Sequence, residues 1–392
     1  MKASRLAAGA AVSWAAATWA AATAATAARV AKLVLSDAAG HIYLADFDGA
    51  AFRLRCNASV GGAPTWLAFS PPSGSLYAVD ENSATTMRLD VDLQAGTVTP
   101  SANVTSANGI VHLEFSGDGG RMLGAAYGSA GVAVFNTAGG GLEYLRSVAS
   151  SDRGGPVPGR QDKPHPHQTV RDPSGRFFAV NDLGTDRILV LDGRDDAFAV
   201  VNHVPVAPAG CGPRHGAFYP AGAARASHYL VVCEMRNLVN LYAVRYGGPR
   251  GIDFFFEQSL STLPPGAGAV SPTAAAGELV LSRDSRNVYV SNRLVDKDKR
   301  ADDSIASFRV VPAGASVKLE LLGLTPTGGR LPRMFSQSAD GETLFVANQA
   351  GGLGLVALRR KPDGTVADAP VASVAMGEFP GGNGPAFVQQ IA

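Results

Sequence analysis

The stretch HPHQTVRDPSGRFFAVND, from His165 to Asp182, predicts a β-hairpin. Residues 168–170 and 177–180 are rich in Val and Phe. The Asp-Pro-Ser-Gly between them supplies a Pro that fixes φ and a Gly that accepts an unusual backbone angle. Because antiparallel strands bring the start of one beside the end of the other, His167 and Asp182 should share a rim. We expect the chemistry of the protein at that rim.

The same hairpin recurs along the chain. Each copy has a buried aromatic or aliphatic anchor in its second strand, and most copies are followed by a third alternating strand. The anchors are Tyr43, Tyr77, Leu123, Phe178, Leu230, Tyr289 and Phe345. Their spacing of about 35 to 60 residues is typical of propeller blades built from four short strands. The sequence therefore predicts an all-β fold, a seven-bladed β-propeller.

The first copy, around Tyr43, lacks a leading strand. Residues 384–391 are strand-like and could supply it, which would close the ring by pairing the two ends of the chain. Two Gly/Pro-rich segments, residues 137–164 and 247–276, are interpreted as insertions between blades. Long loops at a propeller rim either shape a site or have no role in it.

Composition favours one compact body rich in turns. Of 392 residues, 46% are hydrophobic and 17% charged, with 46 Gly and 24 Pro. The net charge of +1 and the absence of a basic run argue against nucleic acid or an anionic membrane surface as a partner. Nothing in the sequence indicates an oligomeric state.

Residues 1–28 have the three-part pattern of a secretory signal peptide. Lys2 and Arg5 precede an Ala-rich apolar run, and small residues follow it. The alternative is a membrane anchor, which the Ala and Thr content disfavours. We therefore predict a secreted propeller of residues 29–392 with no membrane contact after cleavage. The glycosylation sequons at Asn57 and Asn103 agree with export.

Three cysteines allow at most one intramolecular disulfide. Cys211 and Cys233 flank one hairpin and could pair, which would leave Cys56 over. Cys233 is next to Glu234 and can also be interpreted as a nucleophile. Neighbouring strand residues point to opposite faces, so burial is the favoured interpretation.

Aligning the copies on their turns gives two columns of residues at one rim, near the axis. The first column, at the start of the innermost strand, contains Thr65, Val111, His167, Arg214, Gly277 and Arg333. The second column, four residues past the anchor, contains Phe47, Glu81, Tyr127, Asp182, Glu234, Arg293 and Gln349. Polar residues recurring at this height depart from the apolar strand pattern, and such departures mark functional sites. The alternative is that these strand ends simply face water.

These columns predict an anion-binding site with proton transfer. Arg214, Arg293 and Arg333 can clamp carboxylate or phosphate groups bidentately. His167 and Glu234 are the candidate proton donors and acceptors.

The remaining polar residues are assigned lesser roles. Asp182, Glu81 and Gln349 are predicted to contact substrate beside the arginines. His215 should point away from Arg214 and support the site from behind, and His112 is interpreted as structural. His165 competes with His167 but lies outside the aligned column.

Four short motifs resemble those of a known family. They are Gly212-Pro-Arg214-His215-x-x-Phe-x-Pro, the His167 hairpin, Val232-Cys-Glu234 and Tyr289-Val-Ser-Asn-Arg293. They are similar to the seven-bladed lactonase family that contains bacterial 6-phosphogluconolactonase and the fungal 3-carboxy-cis,cis-muconate lactonising enzyme. The likeness covers nearly the whole mature chain. The predicted export and the two insertions depart from the intracellular members.

In the muconate enzyme a His, an Arg, a Glu and a second Arg form the site, and they match His167, Arg214, Glu234 and Arg293. The resemblance implies a lactone-forming or lactone-hydrolysing enzyme without metal or cofactor. Its substrate would be a small anionic lactone or a muconate-like acid.

Two other interpretations stay open at this point. One is a calcium-dependent propeller lactonase using oxygens of Glu81, Asp182 and Glu234 with Asn181 and Asn292, which the neighbouring arginines oppose. The other is a secreted, non-catalytic propeller that binds a glycan or a protein.

Overall fold

The protein forms seven antiparallel four-stranded sheets, which confirms the predicted all-β propeller. The computed structural model describes residues 30–150, 153–263, 272–296, 298, 300–314 and 316–392. The predicted signal peptide lies outside these residues. Within them the helical elements are short 3-10 turns at Ala138–Gly140, Met376–Glu378 and Pro380–Gly382. In the same ranges no helix has the length and apolar character needed to cross a membrane.

The blades follow one another in chain order. Blade 1 contains β1 (Ala31–Ser36), β2 (His41–Phe47), β3 (Phe52–Ser59) and, from the other end of the chain, β28 (Phe387–Gln390). Blade 2 contains β4 (Leu67–Ser70), β5 (Ser75–Val79), β6 (Thr85–Asp92) and β7 (Thr97–Thr105). Blade 3 contains β8 (Ile110–Phe115), β9 (Arg121–Ala126), β10 (Gly131–Asn136) and β11 (Glu143–Ala149). Blade 4 contains β12 (Pro166–Arg171), β13 (Phe177–Asp182), β14 (Arg187–Asp192) and β15 (Ala199–Pro205).

The last three blades have the same organisation. Blade 5 contains β16 (Pro213–Tyr219), β17 (His228–Cys233), β18 (Leu238–Tyr246) and β19 (Ile252–Ser261). Blade 6 contains β20 (Ala275–Leu281), β21 (Asn287–Arg293), β22 (Ser304–Ala313) and β23 (Ser316–Pro326). Blade 7 contains β24 (Arg330–Gln337), β25 (Thr343–Ala350), β26 (Leu353–Arg359) and β27 (Ala372–Ala375). Strands β11 and β19 lie inside the segments interpreted as insertions, so that interpretation was wrong for those parts. Flanking Gly and Pro had concealed two outer strands.

The C-terminal strand closes the ring, as predicted. β28 is the innermost strand of blade 1 and pairs with β1, from Leu33 opposite Gln390 to Ser36 opposite Phe387. The Tyr43 segment is therefore the third strand of its blade and not the second. Since neighbouring strands run in opposite directions, this shift of one strand places Phe47 at the other rim, where it packs against Phe345. The expected rim position of Phe47 was wrong.

Five innermost strands carry a β-bulge at the rim where they begin. The extra residue is Val111 in blade 3, His167 in blade 4 and Arg333 in blade 7. In blades 5 and 6 the extra residue lies between Pro213 and Gly216 and between Ala276 and Leu279. A bulge interrupts the alternation of side chains, so two consecutive residues can face the same side. The channel is consequently lined by two successive rings of side chains.

We call these the upper ring and the lower ring. The upper ring is the predicted first column of Thr65, Val111, His167, Arg214, Gly277 and Arg333. The lower ring, one residue further along each strand, consists of Trp66, His112, Gln168, His215, Glu278 and Met334. The ring centroids of Trp66 and His215, from blades 2 and 5, are 5.4 Å apart, so these side chains meet across the axis.

Candidate active site

The upper rim is organised around the carboxylate of Glu234, which follows β17. Its Oε2 lies 2.9 Å from Nε of Arg214 and 3.0 Å from Nη2 of Arg293, and its Oε1 contacts Nη2 of Arg160. Burial would raise the pKa of Glu234, but these three guanidiniums outweigh it and lower the pKa to about 2. Glu234 is therefore ionised across the physiological pH range.

Backbone carbonyls fix the buried Arg214 and the partly buried Arg293 in place. Nη1 of Arg214 donates to the Gly277 carbonyl, and Nη2 of Arg293 donates to the Ala276 carbonyl, both at 3.0 Å. Burial, followed by repulsion from Arg293, lowers the pKa of Arg214 to about 9. The Arg214 guanidinium is therefore still charged at pH 7. Side chains held in this way lose little entropy when they bind an anion.

A second ion pair crosses the rim from blade 2 to blade 7. Nη2 of Arg333 donates to Oε2 of Glu81 at 2.7 Å, and the Thr65 hydroxyl donates to the same oxygen. Gln349 occupies the equivalent position in blade 7 and is half-buried. The predicted residues Glu81, Arg333 and Gln349 thus lie at the same rim as the Glu234 cluster.

His167 is the only histidine in the upper ring. Its side chain makes no hydrogen bond to any residue of the described ranges, and its ring lies 5.1 Å from that of His215. Burial lowers the pKa of His167 well below its usual value, and the charges of Arg214, Arg333 and Arg293 lower it further. His167 is a neutral imidazole at pH 7, with nitrogen atoms available for proton transfer.

Asp182 does not belong with Glu234, contrary to the alignment. Its Oδ1 accepts the amide hydrogens of His165 at 2.7 Å and Gly184 at 3.0 Å, and its Oδ2 contacts the Ser150 hydroxyl. Asp80 binds the amide of Ala63 in the same way in blade 2. Asp182 is therefore a loop-organising residue and is fully buried.

The error in register came from two adjacent phenylalanines. Pairing of β12 with β13 makes Ala179, not Phe178, the counterpart of Tyr77. The counterpart of Glu234 in blade 4 is then Leu183, whose amide donates to the carbonyl of His165 as that of Glu234 donates to Gly212.

His215 faces the channel, although strand alternation predicted that it would point away from Arg214. The bulge in β16 is the physical reason. Nδ1 of His215 lies 2.7 Å from Oε1 of Glu278, and both side chains are almost fully buried. His112 packs against Trp66 with a centroid distance of 4.3 Å, in agreement with a structural role.

Arg160 is a site residue that the sequence did not reveal. It lies in the segment that precedes blade 4, and this segment forms part of the site at the upper rim. The side chain of Gln161 holds this loop in place by donating to the Leu183 carbonyl at 2.8 Å and to Asp186 Oδ1 at 2.7 Å. Gly155 also donates to the carbonyl of Gly184. Arg160 has no counterpart in the other blades, so alignment of repeats had no means of finding it.

A disulfide joins the segment just before β16, the strand of Arg214, to the last residue of β17, which precedes Glu234. Cys211 and Cys233 are bonded with an S–S distance of 2.07 Å, as considered from their spacing, and Cys56 is free. Cys233 is fully buried and bonded. It therefore has no thiol to act as a nucleophile.

The residues considered for calcium are occupied by other partners. Glu81 and Glu234 bind arginines, and Asp182 binds backbone amides. Among the described residues no group of three or more His, Cys, Asp or Glu side chains is arranged to hold a metal ion.

Comparison with known proteins assigns the chain to a family. The family described as "Lactonase, 7-bladed beta-propeller" matches residues 24–377. The chain belongs to the seven-bladed β-propeller lactonase family. A relative from Arthroderma benhamiae, named "Probable 6-phosphogluconolactonase", is 34% identical over 273 residues, which are 68% of this chain and 67% of the relative.

Solved structures share the fold. The periplasmic gluconolactonase of Pseudomonas aeruginosa superposes with a TM-score of 0.77 at 24% identity, over 93% of this chain and 99% of that one. A protein from Lactobacillus plantarum superposes with a TM-score of 0.74 at 24% identity, over 93% and 100% of the two chains. At this identity the likeness shows the fold alone.

Membership of the lactonase family confirms the sequence-based interpretation of an enzyme with lactone chemistry. The individual roles of His167, Arg214, Glu234 and Arg293 stay predictions, as does export.

Proposed function

We propose that this lactonase hydrolyses the lactone of an anionic sugar acid, of the 6-phosphogluconolactone class. The observation that supports this best is the charge of the rim. Arg160, Arg214, Arg293 and Arg333 share two carboxylates in their ion pairs, so guanidiniums outnumber their carboxylate partners at the rim by two. Such a surplus at the mouth of a low-dielectric channel attracts and orients an anion.

The arginines would divide into two tasks. Arg160 is the most exposed of the four, with 45% of its side chain accessible, and it meets the anionic group of an incoming substrate. Arg214 and Arg293, which are less exposed and are held by backbone carbonyls, stabilise the oxyanion that develops when the lactone carbonyl is attacked.

Of His167 and Glu234, we assign proton transfer to His167 alone, although the sequence made both residues candidates for it. His167 is neutral and relays a proton to the departing ring oxygen, accepting a proton on one ring nitrogen and donating one from the other. A carboxylate whose pKa is held at about 2 is a poor proton acceptor. We therefore assign Glu234 the role of fixing the three guanidiniums.

A panel of lactones tests this proposal. The purified protein should hydrolyse 6-phosphogluconolactone with a kcat/KM that falls as ionic strength rises, because screening weakens the attraction of the arginine rim. Neutral glucono-δ-lactone should have a higher KM and little salt dependence. The panel also includes 3-carboxymuconate, because the same clamps would serve lactone formation. Turnover of none of these compounds would contradict the proposal and favour a binding protein.

We also propose that the chain is exported. The sequon residues Asn57 and Asn103 are both exposed, on the outer strands β3 and β7, where a glycan would not disturb the blades. Expression in a secreting host should give medium-borne protein that lacks residues 1–28 and loses mass on deglycosylation. Full-length protein retained in cells would contradict export.

A further inference from the structure

His215 and Glu278 form a buried pair directly below the arginine rim. The pair is joined by a distance of 2.7 Å between Nδ1 of His215 and Oε1 of Glu278. The carboxylate is itself fixed, because Oε1 also accepts the Leu279 amide at 3.0 Å and the Glu278 amide donates to the Ser291 hydroxyl at 2.9 Å. This arrangement holds the imidazole in one orientation, with Nε2 directed away from Glu278.

The atoms around this pair are buried and unpaired. Within the described part of the chain, Nε2 of His215, Nδ1 of His167 and Oε2 of Glu278 have no hydrogen-bond partner. The rings of His167 and His215 are 5.1 Å apart, and their nitrogens do not bond to each other. A buried polar atom without a partner costs free energy, and a group of such atoms is the usual setting of an ordered water molecule.

The lower ring borders a cavity on the side away from the arginines. This cavity of about 290 Å³ lies at the opposite end of the channel, and its lining includes Trp66, His112, Gln168 and Glu278. The turn residue Arg283 and the strand end at Gln337 also line it, which places it at the rim away from the arginines. A substrate bound at the arginine rim would not fill this cavity, which reaches Glu278 from the other side.

We propose that His215 is the general base that activates the hydrolytic water, with Glu278 as its orienting and charge-compensating partner. The inference rests on the lactone hydrolysis proposed above. The water oxygen attacks the lactone carbonyl carbon while Nε2 of His215 takes the water proton. The Glu278 carboxylate stabilises the imidazolium, and Arg214, the residue adjacent to His215, binds the oxyanion.

The intermediate then collapses and the bond between the carbonyl carbon and the ring oxygen breaks. The ring oxygen receives the proton through His167 and becomes a hydroxyl group. The new carboxylic acid ionises and releases one proton to solvent. His215 returns to its neutral state with no other reactant consumed.

The carboxylate partner distinguishes His215 from the other channel histidines. His112 also has a buried, unpaired Nδ1, but its ring packs on Trp66 and no carboxylate contacts it. The same guanidiniums oppose an imidazolium at His167 and at His215, but no carboxylate of the described residues contacts His167 to offset them. Of the three channel histidines, His112, His167 and His215, only His215 combines a free nitrogen with a carboxylate on the other side of the ring.

The charges around the pair set its pH dependence. Burial raises the pKa of Glu278 to about 7, although Arg214, Arg293 and Arg333 act to lower it. Burial and the same arginines lower the pKa of His215, while Glu234 acts in the opposite direction. The pair titrates as a unit, and its active form has an ionised Glu278 and a neutral His215. The rate should therefore rise with pH through about 7.

Two variants and a matched control test the assignment with 6-phosphogluconolactone. Glu278→Gln and His215→Gln should lower kcat by about 10²- to 10⁴-fold, the range of general base catalysis, and change KM by less than about threefold. His112→Gln replaces another unpaired imidazole of the same ring and should leave kcat within about threefold of wild type. Near-UV circular dichroism verifies that each variant is folded.

Rescue separates chemistry from structure. Added imidazole should raise the kcat of His215→Ala by at least about tenfold. The increase in rate near pH 7 that is expected for the wild type should be absent in Glu278→Gln. If the glutamine variants do not fold, the wild-type pH profile decides: a kcat independent of pH between about 5 and 9 would overturn the proposal.

The outcomes also separate this inference from the proposed function. Retention of kcat in Glu278→Gln or His215→Gln, or an equal loss in His112→Gln, overturns the role of the pair while lactone hydrolysis stands. Absence of lactone turnover by the wild type overturns the proposed function itself.

Discussion

Replacing Glu234 by Gln should destabilise the protein by an amount that can be worked out from its pKa. The carboxyl has a pKa of about 2 in the folded protein, whereas an unperturbed glutamate has a pKa of 4.5, so the two differ by about 2.5. At about 1.4 kcal/mol per pKa unit, the ionised carboxylate contributes about 3 kcal/mol at pH 7. This agrees with the ~3–5 kcal/mol commonly lost when one partner of a buried ion pair is removed.

The pH dependence has a definite sign. The folded-state pKa is depressed, so the stabilisation is fully present above about pH 4.5 and is lost as the pH falls through about 2. Urea unfolding should give a difference between wild type and Glu234→Gln of about 3 kcal/mol at pH 7. Near pH 3 the difference should fall to about 1 kcal/mol.

Anions give an internal control for this prediction. Once the carboxylate is removed, Arg160, Arg214 and Arg293 lack a counter-ion, and added phosphate should restore part of the lost stability in the variant more than in the wild type. Equal stability of the two proteins at pH 7, or a difference that does not change with pH, would refute the assignment of Glu234 as the counter-ion of the rim.

Three further predictions concern the loop, the disulfide and the ring closure. Arg160→Gln should raise the KM for 6-phosphogluconolactone about tenfold, because it removes one charged contact with the substrate. The control is Lys163→Gln, since Lys163 lies in the same loop and binds the Gly128 carbonyl; this variant should change KM by less than about twofold. Steady-state kinetics measures both values. Replacing Cys211 and Cys233 by Ala should lower the free energy of unfolding by about 3 kcal/mol, because the disulfide closes a loop with a sequence separation of 22. A loss below about 1 kcal/mol in urea unfolding would contradict a stabilising disulfide at the site. Deleting residues 385–392 removes two fully buried side chains of β28 and should lower the free energy of unfolding by about 5 kcal/mol. The expected result is a loss of soluble protein that unfolds cooperatively. An unchanged unfolding transition would contradict closure of the ring by this strand.

The repeat pattern predicted the fold because every blade preserves the same strand–turn–strand signal. It also placed His167, Arg214 and Arg333 in the upper ring, since each lies near the start of an innermost strand, at the same rim. Closure by the C-terminal strand was predictable because residues 384–391 are strand-like. The first copy did not lack a leading strand, because β1 pairs with the Tyr43 strand and β28 pairs with β1. These successes depend on local patterns that the chain repeats.

The errors arose where the local pattern was ambiguous or absent. Phe177 and Phe178 offered two anchors for one position, so Asp182 was aligned with Glu234 by mistake. The bulge that turns His215 into the channel has no signature in strand alternation. Arg160 reaches the site from a loop unique to one blade.

The central claim is that the arginine rim catalyses the hydrolysis of an anionic lactone. The most direct test is kcat/KM for 6-phosphogluconolactone, measured for the wild type and for Arg293→Ala with the fold verified by circular dichroism. Arg293 binds both Glu234 and the Ala276 carbonyl, and its loss should lower kcat/KM by at least about tenfold, or ~1.4 kcal/mol of transition-state stabilisation. Equal values for the two proteins would contradict the account.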